Sequence, residues 1–376
     1  MAKTYRQQHL AIMAQNERDM RALFRDLHTR IMAHVTRAAT GDDGTIPPQN
    51  SDAVRAAVST EVLSTFVTQQ NAGLMPFQIT AGRVFPVSPY MRVLWPLMEQ
   101  AVKVAVAEQG AIMNRALRHA PDVREALLAA RGNPLVASRR VQEQTIPRDS
   151  FLSYDPLHRF VDPRGYRLSD RIWDTATTTR RKIDQLLAEM IAEGRGSLEI
   201  SRELEAFVLP GRSIVRTNKP YGTTASHDSM RLARTEITAA AGRSGMMAAG
   251  MNPFVVGGDW VRSSSRSLCS SGICDELAAG SPYTLDTLPD LPGSSHPMCM
   301  CTIRWRLAGE MPDIIAGLRA EIAAPRAALE RAMPGGVRPV APLPALSLVR
   351  FVTPLLVERF ARMLLDEPDE QPEELW

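Results

Sequence analysis

The sequence predicts an α+β fold that is predominantly α-helical: a helical N-terminal region, then a helical-hairpin domain with a small β element around a cysteine- and histidine-bearing loop. Three observations predict it. Apolar residues recur at three- and four-residue spacing along most of the chain, which is the helical period. The spacing falls to two at Phe254–Arg262 and Thr302–Arg306, the pattern of short strands. Between those stretches lie all four cysteines of the 376-residue chain.

The elements follow in order. Tyr5–Ala39 forms one long helix with Met13, Met20, Phe24, Leu27, Ile31 and His34 or Val35 on its apolar stripe. Gly41–Asn50, with its Gly-Thr-Ile-Pro-Pro run, is a loop. A second helix covers Ser51–Gln70 and is broken by the proline-rich stretch Pro76–Pro89. A third runs from Met91 or Pro96 to Arg118, and a short fourth from Pro121 to Arg131. Asp149–Tyr166 is a connector rich in proline, glycine and aromatics, and a domain boundary falls there.

Ser169 is the expected N-cap of a helix over Asp170–Glu193, striped by Ile172, Ala176, Ile183, Leu186, Leu187, Met190 and Ile191. Gly194 and Gly196 end it, and Ser197 opens the next helix, Leu198–Phe207. This pair is a packed helical hairpin and not a DNA-reading helix-turn-helix, because Glu199, Glu203 and Glu205 would repel phosphates. Thr223–Gly250 is a helix rich in Ala and Gly, and Arg234 and Glu236 on it are expected to pair, buried, and brace it against the cysteine loop. Beyond Trp305 come a helix over Asp313–Met333, a Pro-rich linker over Gly335–Pro344, an apolar helix over Leu346–Leu365 and an acidic tail. The division is therefore 1–150, 151–310 and 311–376.

Composition excludes several classes. A chain that is 44% hydrophobic and 23% charged is neither disordered nor a disulfide-dense scaffold. The formal charge of +3 conceals a polarity: Asp366–Trp376 holds six acids and no base, leaving +9 on the rest. The N-terminal stretch from Lys3 to Arg37 is itself basic, with seven cationic side chains against three anionic ones, which suits either a nucleic-acid surface or a solvated face. No membrane role is expected: the most apolar window, Val93–Leu117, is interrupted by Pro96, Glu99, Lys103, Glu108 and Arg115. The N-terminus carries no apolar signal core, so a cytoplasm-like compartment is expected.

In such a compartment, clustered cysteines point to a metal before disulfides. The set is Cys269-x4-Cys274, then His296-x2-Cys299-x-Cys301, at the two ends of a loop rich in Gly and Pro that would lack a hydrophobic core of its own. A structural zinc takes four tetrahedral thiolate or imidazole ligands and contributes directly to folding. Cys269, Cys274 and Cys299 with either Cys301 or His296 would supply them. Reduced buried cysteines, or an extracellular disulfide, are the competing readings. Catalytic arrangements are not found: a Cys269–His296 dyad lacks an orienting third group, and the Pro-x-Cys-x-Cys half of a zinc deaminase site lacks its His-x-Glu half, His227-Asp228-Ser229 being the nearest approach. No phosphate loop, dinucleotide fingerprint or nucleophile elbow occurs.

The ordered set Leu232-Ala-Arg234-Thr-Glu236-Ile-Thr-Ala-Ala, Asp259-Trp260, the cysteine loop with Leu277-Ala-Ala-Gly280, and His296-Pro-Met-Cys299-Met-Cys301 resembles the phage Mu F-like minor head protein family. This head-morphogenesis group also includes the minor head protein of phage SPP1. The upstream Leu168-Ser-Asp-Arg-Ile-Trp and Gly196-Ser-Leu-Glu-Ile-Ser-Arg-Glu-Leu segments are similar to leader helices in that group, so the resemblance covers Leu168–Trp305. It departs from the family in spacing the first cysteine pair by four residues instead of two, and in the basic Arg262–Arg266 run. The resemblance implies a non-enzymatic virion component in the capsid interior at the portal vertex, made in the host cytoplasm. It would act in head assembly, DNA packaging or ejection. Its implied partners are the portal protein, scaffold or major capsid protein, and packaged DNA bound without sequence preference. Two alternatives remain: a Mu F-domain effector or toxin enzyme, and a free-standing zinc-ribbon DNA-binding protein.

Overall fold

The computed structural model describes residues 4–40, 43–70, 73–75, 77–80, 83–123, 168–209, 224–250, 252–263, 272–296, 299–309 and 312–320. They are mostly helical, with a small three-stranded antiparallel sheet beside a cluster of three cysteines. The chain divides into two compact units. One holds Met1–Ala105, Arg148–Met246 and Gly257–Trp305; the other holds Val106–Pro147, Met247–Val256 and Arg306–Trp376.

In the first unit, α1 (Tyr5–Ala38) starts at a capping box, Thr4 Oγ1 accepting from the Gln7 amide while Gln7 Oε1 accepts from the Thr4 amide. The expected stripe is buried, and Val35, not the half-buried His34, completes it. Helix α2 (Ser51–Phe66) packs on α1, and in the core Phe66 meets Phe24 edge-on and Tyr90 at a tilt, with ring centroids 6.3 and 5.2 Å apart. It ends four residues before the expected Gln70. The chain turns instead into two short hairpins, β1 (Thr68–Gln70) with β2 (Gly73–Met75), and β3 (Phe77–Thr80) with β4 (Arg83–Pro86). Two residues separate the strands of each pair, the spacing of a tight hairpin.

Helix α3 (Pro89–Ala116) opens with proline at its first position, where no amide hydrogen is needed, and carries Pro96 inside it. A 3-10 turn over Leu117–His119 follows. Helix α4 (Leu168–Ala192) begins before Ser169, which is therefore a helical residue and not the expected N-cap. Leu168 is 1% exposed, and its burial in the core continues the helix back past Ser169. The helix stops as expected, with Gly194 at φ +70° and bonds from Gly194 N to Ile191 O and Arg195 N to Met190 O. Helix α5 (Ser197–Val208) buries Ile200, Leu204 and Val208 and exposes Glu199, Glu203 and Glu205, as a helical hairpin requires. Helix α6 (Ala225–Gly250) supplies the wall against which the cysteine region is built.

The second unit has its own cluster, Met113, Leu117, Ala120, Val123, Phe254 and Leu318, with Ile314 and Ile315 packed on it. Asn252 Nδ2 donates to the Gln109 carbonyl and to its Oε1, both at 3.2 Å. The expected helices Pro121–Arg131 and Asp313–Met333 are seen over 121–123 and 312–320. Their remainders, the connector Asp149–Tyr166, the linker, the last helix and the acidic tail lie outside the described residues. Among the described residues no helix is long and apolar enough to cross a membrane.

Candidate metal centre

Strands β5 (Val255–Val261) and β7 (Thr302–Leu307) are the two expected strands, with β6 (Tyr283–Thr284) on the other edge of β5. Between them the chain forms α7 (Gly272–Ala279), which places Cys274 in its first turn. The loop was expected to lack a core of its own. Instead Leu288 and Leu291 join Trp260, Ile303 and the cysteines in one buried cluster. Tyr283 Oη closes α7 by donating to the Leu277 carbonyl at 2.8 Å.

Cys274, Cys299 and Cys301 are each at most 1% exposed, and their three Sγ atoms lie within 4.8 Å of one another. Cys274 Sγ stands 4.0 Å from Cys299 Sγ, far beyond a disulfide bond, and none of the three cysteines is in a disulfide. Thiolates bound tetrahedrally at about 2.3 Å from zinc stand about 3.8 Å apart, so the spacing fits a common ion. The Cys301 amide points at Cys299 Sγ at 3.5 Å, a donor that an anionic sulfur would use. The buried three-cysteine cluster can therefore hold a metal ion.

Of the five expected ligands, the structure gathers these three. His296 is half-buried one turn before Cys299, whose amide donates to the His296 carbonyl at 3.1 Å, but its ring is not within the gathered set. Cys269 lies outside the described residues. His227 and Asp228 stand in the first turn of α6, apart from the cysteine set.

Helix α6 backs the cluster. Thr238 Oγ1 donates to the Cys299 carbonyl at 3.4 Å, and Arg243 meets Asp290 at 3.4 Å. The expected Arg234–Glu236 pair is not formed. Residues two apart on a helix point roughly 200° apart around its axis, so the two side chains leave in different directions. Arg234 pairs with Glu17 of α1 at 2.9 Å, and Glu236 with Arg171 of α4 at 2.8 Å. Both are buried, at 6% and 4% exposure, and these two pairs run to α1 and α4. Burial pulls the Arg234 guanidinium below its usual pKa, with Glu17 opposing and Arg21 adding to the effect. Burial likewise pushes the Tyr90 phenol well above its usual range, and its hydroxyl donates to the Ser229 carbonyl of α6 at 2.9 Å. The sequence offered no signal for Glu17 or Arg171 as partners of this helix, nor for Thr238 as its contact to the Cys299 carbonyl.

A groove of about 580 Å³ lies between α2 and α4, lined by Asp52, Arg55, Ser59, Asp174, Thr177 and Arg181 among others, and Arg55 and Asp184 pair in it through two 2.8 Å bonds.

Comparison with family models, with curated proteins and with solved structures finds no match.

Proposed function

We propose that this chain is a structural minor head protein of a tailed bacteriophage, seated at the portal vertex inside the capsid. There it acts in head assembly, DNA packaging or ejection, with a structural zinc in its cysteine cluster. One observation carries the reading. The separate pieces of the Mu F-like resemblance, Arg234 and Glu236, Trp260, Cys274, Cys299 and Cys301, are all buried and are committed to internal contacts. Arg234 and Glu236 dock α6 onto α1 and α4, and Thr238 of the same helix reaches the Cys299 carbonyl. Residues committed in this way hold a scaffold together, which supports an assembly component over an enzyme.

Zinc fits the donor set best, because thiolate ligands in a closed, buried site are the structural zinc pattern. Cys274, Cys299 and Cys301 supply three ligands, and His296 or Cys269 completes the four. When bound, the metal supplies cross-linking of α7 to the segment before β7, and no chemistry on a substrate. The purified chain is expected to contain about one zinc per molecule, lost on Cys299→Ser; a fully folded, metal-free chain refutes the zinc.

The functional test is separate. The chain should co-sediment with the portal protein or with proheads bearing it. Failure to associate with either, together with absence from purified virions, sinks the assignment.

A further inference from the structure

Trp260 has a polar atom with nothing to bond to. The residue is 3% exposed, its indole Nε1 is buried, and among the described residues that nitrogen has no hydrogen-bond partner. Indole is a donor only, and a buried donor without an acceptor is a cost that native proteins rarely leave standing. The Trp260 amide donates to Ser281 Oγ at 2.8 Å, which anchors the backbone at this position of β5. Among the described residues it belongs to one buried cluster with Leu288, Leu291, Ile303 and the three cysteines, against which Met246, Met300 and Tyr283 also pack. The Tyr283 hydroxyl is engaged with the Leu277 carbonyl, and a thioether is a weak acceptor. A cysteine sulfur is weak as a neutral thiol but strong as a thiolate, the strongest side-chain acceptor this cluster can offer.

We infer that the indole N–H of Trp260 is an outer hydrogen-bond donor to a thiolate of the Cys274–Cys299–Cys301 cluster once a divalent metal has displaced the thiol protons. The inference rests on the metal reading of the cluster. Three thiolates around a divalent cation leave a net negative charge in an apolar interior, and such a centre needs N–H donors aimed at its sulfurs. The Cys301 amide, 3.5 Å from Cys299 Sγ, is one. Trp260 is a second, and it is a positioning residue, acting on the metal through a ligand. The cluster's leaving protons go to solvent on metal binding, and no electron moves.

The test replaces Trp260 in the full chain by benzothienylalanine, which keeps the two-ring shape and lacks the N–H. Trp260→Phe serves as a second variant. Zinc affinity is read by competition with a chelator, and cobalt(II) is substituted to read the sulfur-to-metal charge-transfer band. Loss of the donor is expected to weaken zinc binding about ten-fold or more and to move that band to lower energy, with the metal-free fold unchanged in the isosteric variant. Unchanged affinity and an unchanged band overturn the role of Trp260 while leaving the metal site intact. A wild-type chain that binds neither metal overturns the inference together with the site.

Discussion

Burying a guanidinium and a carboxylate is costly unless each keeps a partner, and Arg234 and Glu236 each keep one on a different helix. Glu236→Gln removes the charge that faces Arg171, whose side chain is 13% exposed against 5% for Glu236. A loss of about 3 kcal/mol is expected in urea unfolding. A double-mutant cycle should show strong coupling between Glu236 and Arg171 and near-additivity between Glu236 and Arg234. The reverse result would restore the direct pair that adjacency in the sequence suggests. His9 gives a pH dependence at the same scale. It is 3% exposed on α1, stacked on Tyr5, and burial lowers its pKa from 6.5 to about 4. Between those values the unfolded chain holds a proton on His9 that the folded chain does not. Stability therefore falls as pH drops from 6.5 to about 4, by up to roughly 3 kcal/mol, and this contribution levels off below it. His9→Phe should abolish that portion of the slope, as read by denaturation at closely spaced pH values.

Among the elements, α6 carries Gly242 and Gly245 in contrasting surroundings, one against backbone and one against side chains. A Cβ on Gly242 would lie 2.5 Å from the Leu291 carbonyl oxygen, and backbone there cannot yield as a flexible side chain could. Gly242→Ala should therefore cost about 1–3 kcal/mol despite a gain of about 1 kcal/mol in helix propensity. At Gly245 the nearest atom to a Cβ is the Trp305 ring at 3.4 Å, an ordinary contact, so Gly245→Ala should stabilise by about 0.5–1 kcal/mol. Thermal melts of the two variants shifting in the same direction would contradict this account. The sequence disclosed α1, α4, α5 and α6 because each carries a long apolar stripe, and a stripe of many turns survives local noise. It did not disclose β1 to β4, since strands of three or four residues are too short to show an alternation. Nor did it disclose α7, whose eight residues hold a glycine, a cysteine and two acids in little more than two turns. The cysteine spacing announced a cluster that could hold a metal ion, and three of its members meet. Their supports, Thr238 on α6 and the leucines of the loop, come from chain contacts that no local pattern records.

For the whole molecule, the first compact unit contains both the helical bundle and the cysteine cluster, and α6 is common to them. One stretch of that helix carries Arg234 and Glu236 toward α1 and α4, and the next carries Thr238, Gly242 and Arg243 toward the loop. A metal bound by Cys274, Cys299 and Cys301 would thus be linked, through a helix lying between them, to the ion pairs that dock the bundle. Removing it should cost more than the loop alone. Chelation is expected to lower the melting temperature, and to raise amide exchange over α7 and β7 and along α6 from Arg234 to Arg243 in the same step. Structural zinc sites contribute on the order of 10 kcal/mol in small domains, so even a fraction of that is a large share of the stability of a unit this size. The α6 amides are the informative ones, since they lie outside the ligand segments and are shielded by the bundle on one side. Exchange that rises over α7 and β7 while α6 stays protected would show that the cluster is an isolated staple, and that the bundle keeps its docking contacts without it.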